Sequence, residues 1–501
     1  MGRPANSDWR SLVAFPTLTS ERMLFPTITF AIFFLVVYVA NWLLMPRLRL
    51  WKWMIIAASY VFYGWWDWWF VLVLVAATLL NQLVGMQIAR ARERRNVAGA
   101  GRNWLIAGVV VNLGALGYFK YFDFFAASLD DLLGSLGLGA PLPLLQIVLP
   151  VGISFLVFRM LSYVIDIYRG ELEPAPALDF AVYTAFFPYL LAGPIARARE
   201  FLPQLTTPRD PHRVDAGRAF TLILGGLAKK ILIADYLATN LVNGVFASPQ
   251  SYSSWETLWG ICAYSVQIYC DFSAYSDIAI GVSLLLGFEL PENFDAPYTA
   301  RSIQDFWRRW HITLSSWLRD YLYIPLGGNR KGRGRTYVNL ILTFLLGGLW
   351  HGAGWPFVFW GGMHGVGLAL ERARSDARRA RGLPEPGATP GARALQRLAV
   401  FAFVTVAWVF FRADSIGAAF SVLWRLIAGL GSIGSAVTWP VVGLVILGIA
   451  IQYIPRRFME RLEAGLADIG WAGQAAVLAG ALFLIDTLGA QGAASFLYFK
   501  F

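Results

Sequence analysis

Long apolar runs separated by short basic stretches constrain this chain more than any other feature. Candidate membrane spans fall at residues 23–45, 53–65, 68–88, 104–126, 143–165, 219–246, 256–288, 398–427, 437–454 and 471–490. A crossing helix needs about 20 predominantly apolar residues. Tryptophan and tyrosine gather where a membrane–water boundary would lie, as in Tyr63-Gly64-Trp65-Trp66-Asp67-Trp68-Trp69. Of the 501 residues 57% are hydrophobic and 15% charged, where soluble domains carry about 25% charged residues. One large core cannot absorb that difference, but helices whose outer faces meet lipid can. The polar stretches, longest near 197–218 and 371–397, fall short of the ~50 residues of a separate domain. The expectation is an all-α, polytopic integral membrane protein with ten to twelve membrane helices plus re-entrant and interfacial helices. A polar N-terminal extension at 1–22 would precede a single membrane-embedded domain at 23–501. The first apolar run is too long for a signal peptide and lacks a small-residue cleavage site, so it reads as a retained helix.

The net charge of +11 would suit nucleic acid on a soluble protein, but here the basic residues sit in short runs between spans. That is the signature of cytoplasmic loops, and no nucleic-acid partner is expected. Arg47, Arg49 and Lys52 follow the first span and Arg90, Arg92, Arg94, Arg95 and Arg102 the third. The loops at Asp67 and 127–142 lack Lys and Arg and should face outward, which places the N-terminus outside; Arg3, Arg10 and Arg22 point the other way. Cys262 and Cys270 share one apolar run, separated in a helix by about 12 Å of rise, too far for a disulfide.

Two segments carry geometry. Residues 337–370 lie between Arg330-Lys331-Gly332-Arg333-Gly334-Arg335 and a second basic group, Arg372, Arg374, Arg378, Arg379 and Arg381. Both ends should be cytoplasmic, yet two crossings need about 40 residues plus a turn. The glycines and Pro356 within it predict a broken, partly re-entrant hairpin whose tip, near Trp350-His351-Gly352, lies deep in the protein. Residues 301–328 read as an interfacial helix that Ser302 and Asp305 start and Pro325, Gly327 and Gly328 end. On it Trp307, His311, Leu314 and Leu318 would share one face. The Arg-, Ala-, Gly- and Pro-rich stretch at 375–396 reads as a flexible cytoplasmic loop.

Of the four histidines, His212 belongs to a solvated loop. His351 is expected at membrane depth, where an ionisable group is functional by default; a general base suits it, and a hydrogen-bonded packing histidine is the plainer reading. His311 has the same two readings, and His364 reads as a packing or supporting residue. HExxH, Cys/His zinc spacing, the G-x-S-x-G elbow and Walker A do not occur, and no metal is expected. Ser315 and Ser316 read as helix-surface serines. Arg159, Lys229, Lys230, Asp271 and Asp277 lie inside apolar runs, as a transporter's ion path or as a structural network. The basic mouth of Arg308, Arg309, Arg330, Lys331, Arg333 and Arg335 suits either an acidic donor, such as the phosphates of coenzyme A, or anionic lipid.

The chain resembles the membrane-bound O-acyltransferase family, within it the alginate O-acetyltransferase branch. The matching stretches are Leu149-Pro150-Val151-Gly152-Ile153-Ser154-Phe155, Leu191-Ala192-Gly193-Pro194-Ile195, Gln267-Ile268-Tyr269-Cys270-Asp271-Phe272-Ser273-Ala274-Tyr275-Ser276-Asp277 and Pro291-Glu292-Asn293-Phe294. They continue with Phe306-Trp307-Arg308-Arg309-Trp310-His311, Arg319-Asp320-Tyr321, Ile324-Pro325-Leu326-Gly327-Gly328 and Leu349-Trp350-His351-Gly352. They run in family order over about 150–365. The resemblance implies many helices around a deep funnel, with His351 matching the catalytic histidine and His311 the upstream active-site histidine. Arg308, Arg309 and Trp310 become donor-binding candidates. Expected chemistry is acetyl transfer from acetyl-CoA or another acyl thioester, a donor substrate and not a bound cofactor, toward an extracytoplasmic polysaccharide such as alginate. His351 would deprotonate the attacking hydroxyl while His311 orients reactants or stabilises charge; backbone N–H groups near Gly347 and Gly348 are one source of oxyanion donors. A periplasmic hydrolase-like acetyltransferase would complete the reaction, from a multi-pass position in the cell inner membrane. D-alanyl or other acyl transfer to teichoic acid, peptidoglycan or cellulose, and transport, are the alternatives.

Overall fold

The apolar runs fold as helices, and no strand occurs among the described residues. A computed structural model describes residues 23–95, 99–139, 144, 145, 147–382, 389–431, 434–488 and Phe496. The expected polar extension at 1–22 lies outside them, as do 383–388 of the Arg-rich stretch. The α-helices of seven residues or more run α1 (Ile28–Leu44), α2 (Leu48–Gly64), α3 (Trp68–Arg95), α4 (Arg102–Leu116), α5 (Phe122–Ser135), α6 (Ile153–Arg169), α7 (Ala177–Ala185), α8 (Ala216–Ala228) and α9 (Ser254–Leu285). After these come α10 (Ile303–Arg309), α11 (Ile312–Leu318), α12 (Gly332–His351), α13 (Trp355–Ala380), α14 (Pro390–Arg412), α15 (Ile416–Ala428), α16 (Trp439–Ala450), α17 (Arg456–Asp468) and α18 (Gly470–Leu488).

By length and composition, Trp68–Arg94, Arg102–Ser135, Ser254–Leu285 and Pro390–Arg412 can each cross a membrane, and the pair α16–α17, bent by 91°, makes a fifth candidate. The sequence-based count of ten to twelve thus divides into helices long enough alone and shorter apolar ones, such as α1 and α15, that are not. Local chemistry explains the breaks. Gly152, at φ +77°, delays α6 to Ile153. Ser415 accepts from the Ala418 N–H and restarts the chain as α15, so the run at 398–427 is two helices. The run at 219–246 is interrupted by π-turns at Lys229–Asp235 and Ala238–Val242.

The outermost helices carry exposed apolar side chains, among them Ile28, Ile32, Leu35 and Val36 on α1 and Val110 on α4, as lipid contact requires. At the opposite extreme is α9. It opens on a capping box between Ser253 and Glu256, and its apolar window is 94% buried, against 17% for α4–α5. It is therefore the central post of the fold, which explains how one apolar run holds Asp271, Ser273, Ser276 and Asp277. The charges pair across its surface: Lys230 bridges Asp235 and Asp271, each at 2.8 Å, and Lys229 pairs with Asp277. Arg159 is wholly buried, lies over the Tyr189 ring and donates to the Tyr189 carbonyl. These contacts favour the structural network over an ion path. Both cysteines of α9 are free thiols.

Three expectations are corrected. The hairpin expected at 337–370 has its break at 352–354 but longer arms, of 20 and 26 residues, because α12 and α13 continue into the basic flanks that hydropathy had excluded. At 1.5 Å per residue α12 alone spans about 30 Å. Its arms meet through glycine: a Cβ on Gly348 would strike the Phe357 carbonyl oxygen, and one on Gly361 that of Phe344. Helical ends also replace most of the loop expected at 375–396, since α13 runs to Ala380 and α14 starts at Pro390. Lastly, the interfacial helix is broken and half-buried. Its chain stops at Arg309, turns at Trp310 and His311, and resumes as α11.

Candidate active site

The break at 310–311 is the first half of the site. α10 starts where Ser302 Oγ accepts from the Asp305 N–H at 3.0 Å and the Glu371 carboxylate receives the Ile303 N–H at 2.7 Å, a negative group at a helix N-terminus. From there Trp307 reaches His364, its indole N–H donating to Nδ1 at 3.1 Å. His311 then takes a left-handed backbone, φ +43° and ψ +56°, which costs a non-glycine residue about 1–3 kcal/mol. Two backbone hydrogen bonds hold that turn: Asp295 N–H to the Arg309 carbonyl and Ile312 N–H to the Asn293 carbonyl, both 2.9 Å. α11 leads back, with Leu318 against Gly347 and Gly328 bonded to Asn339 of α12. α10 and α11 thus join at Trp310 and His311 alongside the α12–α13 hairpin.

Asn293 fixes the His311 ring. Its Oδ1 lies 3.0 Å from His311 Nδ1 and accepts from the Thr313 hydroxyl at 2.9 Å. Thr313 Oγ1 in turn accepts from the Ile195 N–H at 3.0 Å, and Asn293 Nδ2 donates to Ser276 on α9 at 3.1 Å. With Oδ1 committed as acceptor, His311 carries its proton on Nδ1 in the neutral ring, and Nε2 holds the lone pair. The irregular, buried stretch at 190–198 is tolerated because it lies inside protein and supports this turn.

His351 is the second half. It is the last residue of α12, 4% exposed, with its ring 5.0 Å from Trp350, 5.0 Å from Trp360 and 5.4 Å from Phe411. The two histidine rings meet edge-on, 6.4 Å between centroids. Both rings are buried, so the two histidines are neighbours in one enclosed cluster. His364 is separated from His351 by Trp360, whose ring lies 5.0 Å from each, so it supports the wall of the site. His212 sits in an exposed turn, as expected.

The donor-binding candidates separate. Arg308 is exposed at the end of α10. Arg309 is bound to Asp305 at 2.9 Å and to Asp295 at 3.5 Å. Trp310 has no exposed surface and packs among Phe294, Phe306 and Trp408, so it is a wall residue and not an open donor contact. The oxyanion source at Gly347 and Gly348 is also corrected: both N–H groups lie inside α12, where intrahelical bonds engage them, and the glycines serve close packing. Ser315 and Ser316 donate to the Trp310 and Thr313 carbonyls. Among the described residues no three His, Cys, Asp or Glu side chains group to hold a metal. Sequence reasoning passed over two contributors. Asn293 stood in a quoted motif without a role, and Lys120, which with Asp123 makes the two charges of the run at 104–126, carried the intramembrane-charge signal.

The profile of the membrane-bound O-acyltransferase family matches residues 168–412. A probable alginate O-acetylase AlgI of Azotobacter vinelandii is 44% identical over 417 residues, covering 82% of this chain and 79% of that protein. The protein of the same name from Pseudomonas aeruginosa is 42% identical over 422 residues, 83% and 76% of the two chains. A peptidoglycan O-acetyltransferase of Helicobacter pylori is 38% identical over 402 residues, 75% of this chain and 73% of that one.

Proposed function

The chain belongs to the membrane-bound O-acyltransferase family, and from that membership we propose that it moves acetyl groups from a cytoplasmic thioester to an extracytoplasmic polysaccharide of the alginate type, with His351 as the general base. The observation that carries this reading is the meeting of His311 and His351, ring centroids 6.4 Å apart, at the break between α10 and α11 and the end of α12. A hydroxyl between them would lose its proton to His351 as its oxygen attacks the thioester carbonyl. The tetrahedral intermediate would expel the thiolate, which takes the proton back, leaving an ester and a free thiol. His311, held by Asn293, orients the reactants or stabilises the developing charge.

Acetyl-CoA or another acyl thioester is the donor, met by Arg308, three residues before His311. The protein works from the cell inner membrane as one membrane-embedded domain over 23–501. A separate periplasmic hydrolase-like protein receives the acetyl group or hands it to the polymer, because donor and polymer lie on opposite sides. The Helicobacter pylori relative favours a second reading, peptidoglycan as acceptor. Sealed vesicles with labelled acetyl-CoA inside and polysaccharide outside test the proposal. Acetylation should require this protein, His351 and the partner. Full polymer acetylation by this chain alone removes the partner, and full activity of His351→Ala removes the base.

A further inference from the structure

A helix leaves its last carbonyls without intrahelical partners, and at membrane depth each must find a donor. In α12 those carbonyls belong to the turn that ends in His351. Gly348 O receives the Gly352 N–H at 3.4 Å. The next three are served by adjacent residues of one distant segment. Tyr121 donates its hydroxyl to Leu349 O at 2.9 Å, and Lys120 Nζ donates to Trp350 O at 2.6 Å and to His351 O at 3.1 Å. The third Lys120 contact is Ser154 Oγ at 3.3 Å, on the first turn of α6.

The segment that delivers them is unusual. Between α4 and α5 the chain makes a π-turn at Gly117–Tyr121, and such wide turns recur at functional sites. It lets two neighbouring side chains reach the same helix end. A cation also suits the negative pole of a helix dipole. α5 reinforces the contact from the far side of the tip, where Trp355 Nε1 donates to Ser128 Oγ at 3.2 Å and Phe124 packs on Trp355 at 5.5 Å.

We propose that Lys120 is a positioning residue for acyl transfer, clamping the α12–α13 tip through the Trp350 and His351 carbonyls so that the His351 ring is held opposite His311. An ammonium has three donors, and three acceptors surround this one, so its work is to place His351 and not to touch substrate. The role rests on His351 being the base. A displacement of about 1 Å in a reacting group costs about a hundredfold in rate, which sets the scale of the effect.

The test uses full-length protein in detergent or nanodiscs, as Lys120→Met and Lys120→Gln, with Lys120→Arg as the conservative replacement. Turnover of labelled acetyl-CoA with the periplasmic partner and polysaccharide present, and hydrogen–deuterium exchange across 349–356, are measured on the folded fraction. The expected result is a fall in kcat of about tenfold to a hundredfold at unchanged KM for acetyl-CoA. Tip amides should exchange faster while α9 stays as protected as in wild type, and Lys120→Arg should recover part of both. Wild-type kcat in Lys120→Met overturns the proposal, as does lost turnover with unchanged tip exchange. If neither Lys120→Met nor Lys120→Gln accumulates, the lysine holds the whole fold and the positioning role is refuted. Should wild-type protein transfer no acetyl group, the reading of His351 has failed instead, and the exchange measurement alone decides whether Lys120 holds the tip.

Discussion

The ring of His311 lies 6.4 Å from that of His351, with planes 61° apart. Each histidine stands at a helix end: His311 at the N-cap of α11 and His351 as the last residue of α12. Their pairing is therefore a relation between two turns, and whatever shifts either turn changes the gap between the rings. A strained φ of +43° at His311, kept by contacts with Asn293, fits a position selected for where it sends its side chain.

Replacing His351 by Ala or Gln should lower acetyl transfer by about 10²–10⁴, the usual contribution of a general base. The protein should still insert, because the wall of Trp350, Trp360 and Phe411 remains. His311→Ala should also impair transfer. Acetyl content of the polymer, normalised to membrane level, is the measurement; wild-type content in the His311 variant would leave His311 a packing residue.

Asn293→Ala should act through His311. It strips the Thr313 hydroxyl and the His311 Nδ1–H of their buried partner, a loss of about 1–3 kcal/mol in stability, and it frees the ring to change tautomer. Turnover should fall, and the double variant Asn293→Ala with His311→Ala should be little worse than His311→Ala alone. Independent, multiplying losses would show that Asn293 works elsewhere.

Much of this was legible in the sequence. The all-helical membrane class follows from the apolar runs, and the tip at 350–352 from glycines and a proline inside one of them. What misled was hydropathy taken as length: α12 begins at Gly332 and α13 continues to Ala380, across arginines that end an apolar window but not a helix. Nor does a periodic pattern reveal a turn made by tertiary contacts. Residues 303–318 have helical spacing throughout, and only the backbone bonds to Asn293 and Asp295 break the helix at His311. Asn293 and Lys120 escaped because their partners lie 18 and 231 residues away.

Glycine contacts predict where the hairpin tolerates no side chain. Gly348→Ala should cost about 1–3 kcal/mol, the range for overpacking, since its methyl would meet the Phe357 carbonyl. It should lower turnover too, by prising α12 from α13 next to His351. Gly225→Ala on α8 is the control, with nothing within 4 Å of the new methyl; helix propensity gives it a gain of up to about 1 kcal/mol. Thermal unfolding in detergent separates the two, and equal behaviour would contradict the packing described.

The arginines of α10 should part company. Arg308→Ala removes an exposed charge and should raise the KM for acetyl-CoA while leaving unfolding unchanged. Arg309→Ala breaks contacts with Asp305 and Asp295, loosening the strap around His311, so it should lower kcat and stability together. An unchanged donor KM in Arg308→Ala would assign the basic mouth to lipid.

The last prediction concerns which way the hairpin faces. Lys331 directly precedes α12 and Ala380 ends α13; both are exposed, and an antiparallel hairpin puts them at one end. Their neighbours Arg330, Arg333, Arg335, Arg378, Arg379 and Arg381 make that end cytoplasmic by the positive-inside rule. Because α12 has 20 residues, about 30 Å, its tip lies roughly a hydrocarbon thickness from that end. In a background with Cys262 and Cys270 replaced, Lys331→Cys and Ala380→Cys should react with a membrane-impermeant maleimide only from the cytoplasm. Trp355→Cys at the tip should not react from that side. Opposite sidedness of Lys331 and Ala380 would break the hairpin assignment. Cytoplasmic labelling at Trp355 would put His351 on the donor side and require the acetyl group to travel outward after the chemistry, whereas protection there keeps the reacting histidines at the far end of the basic mouth, where a thioester entering from inside can meet an acceptor from outside.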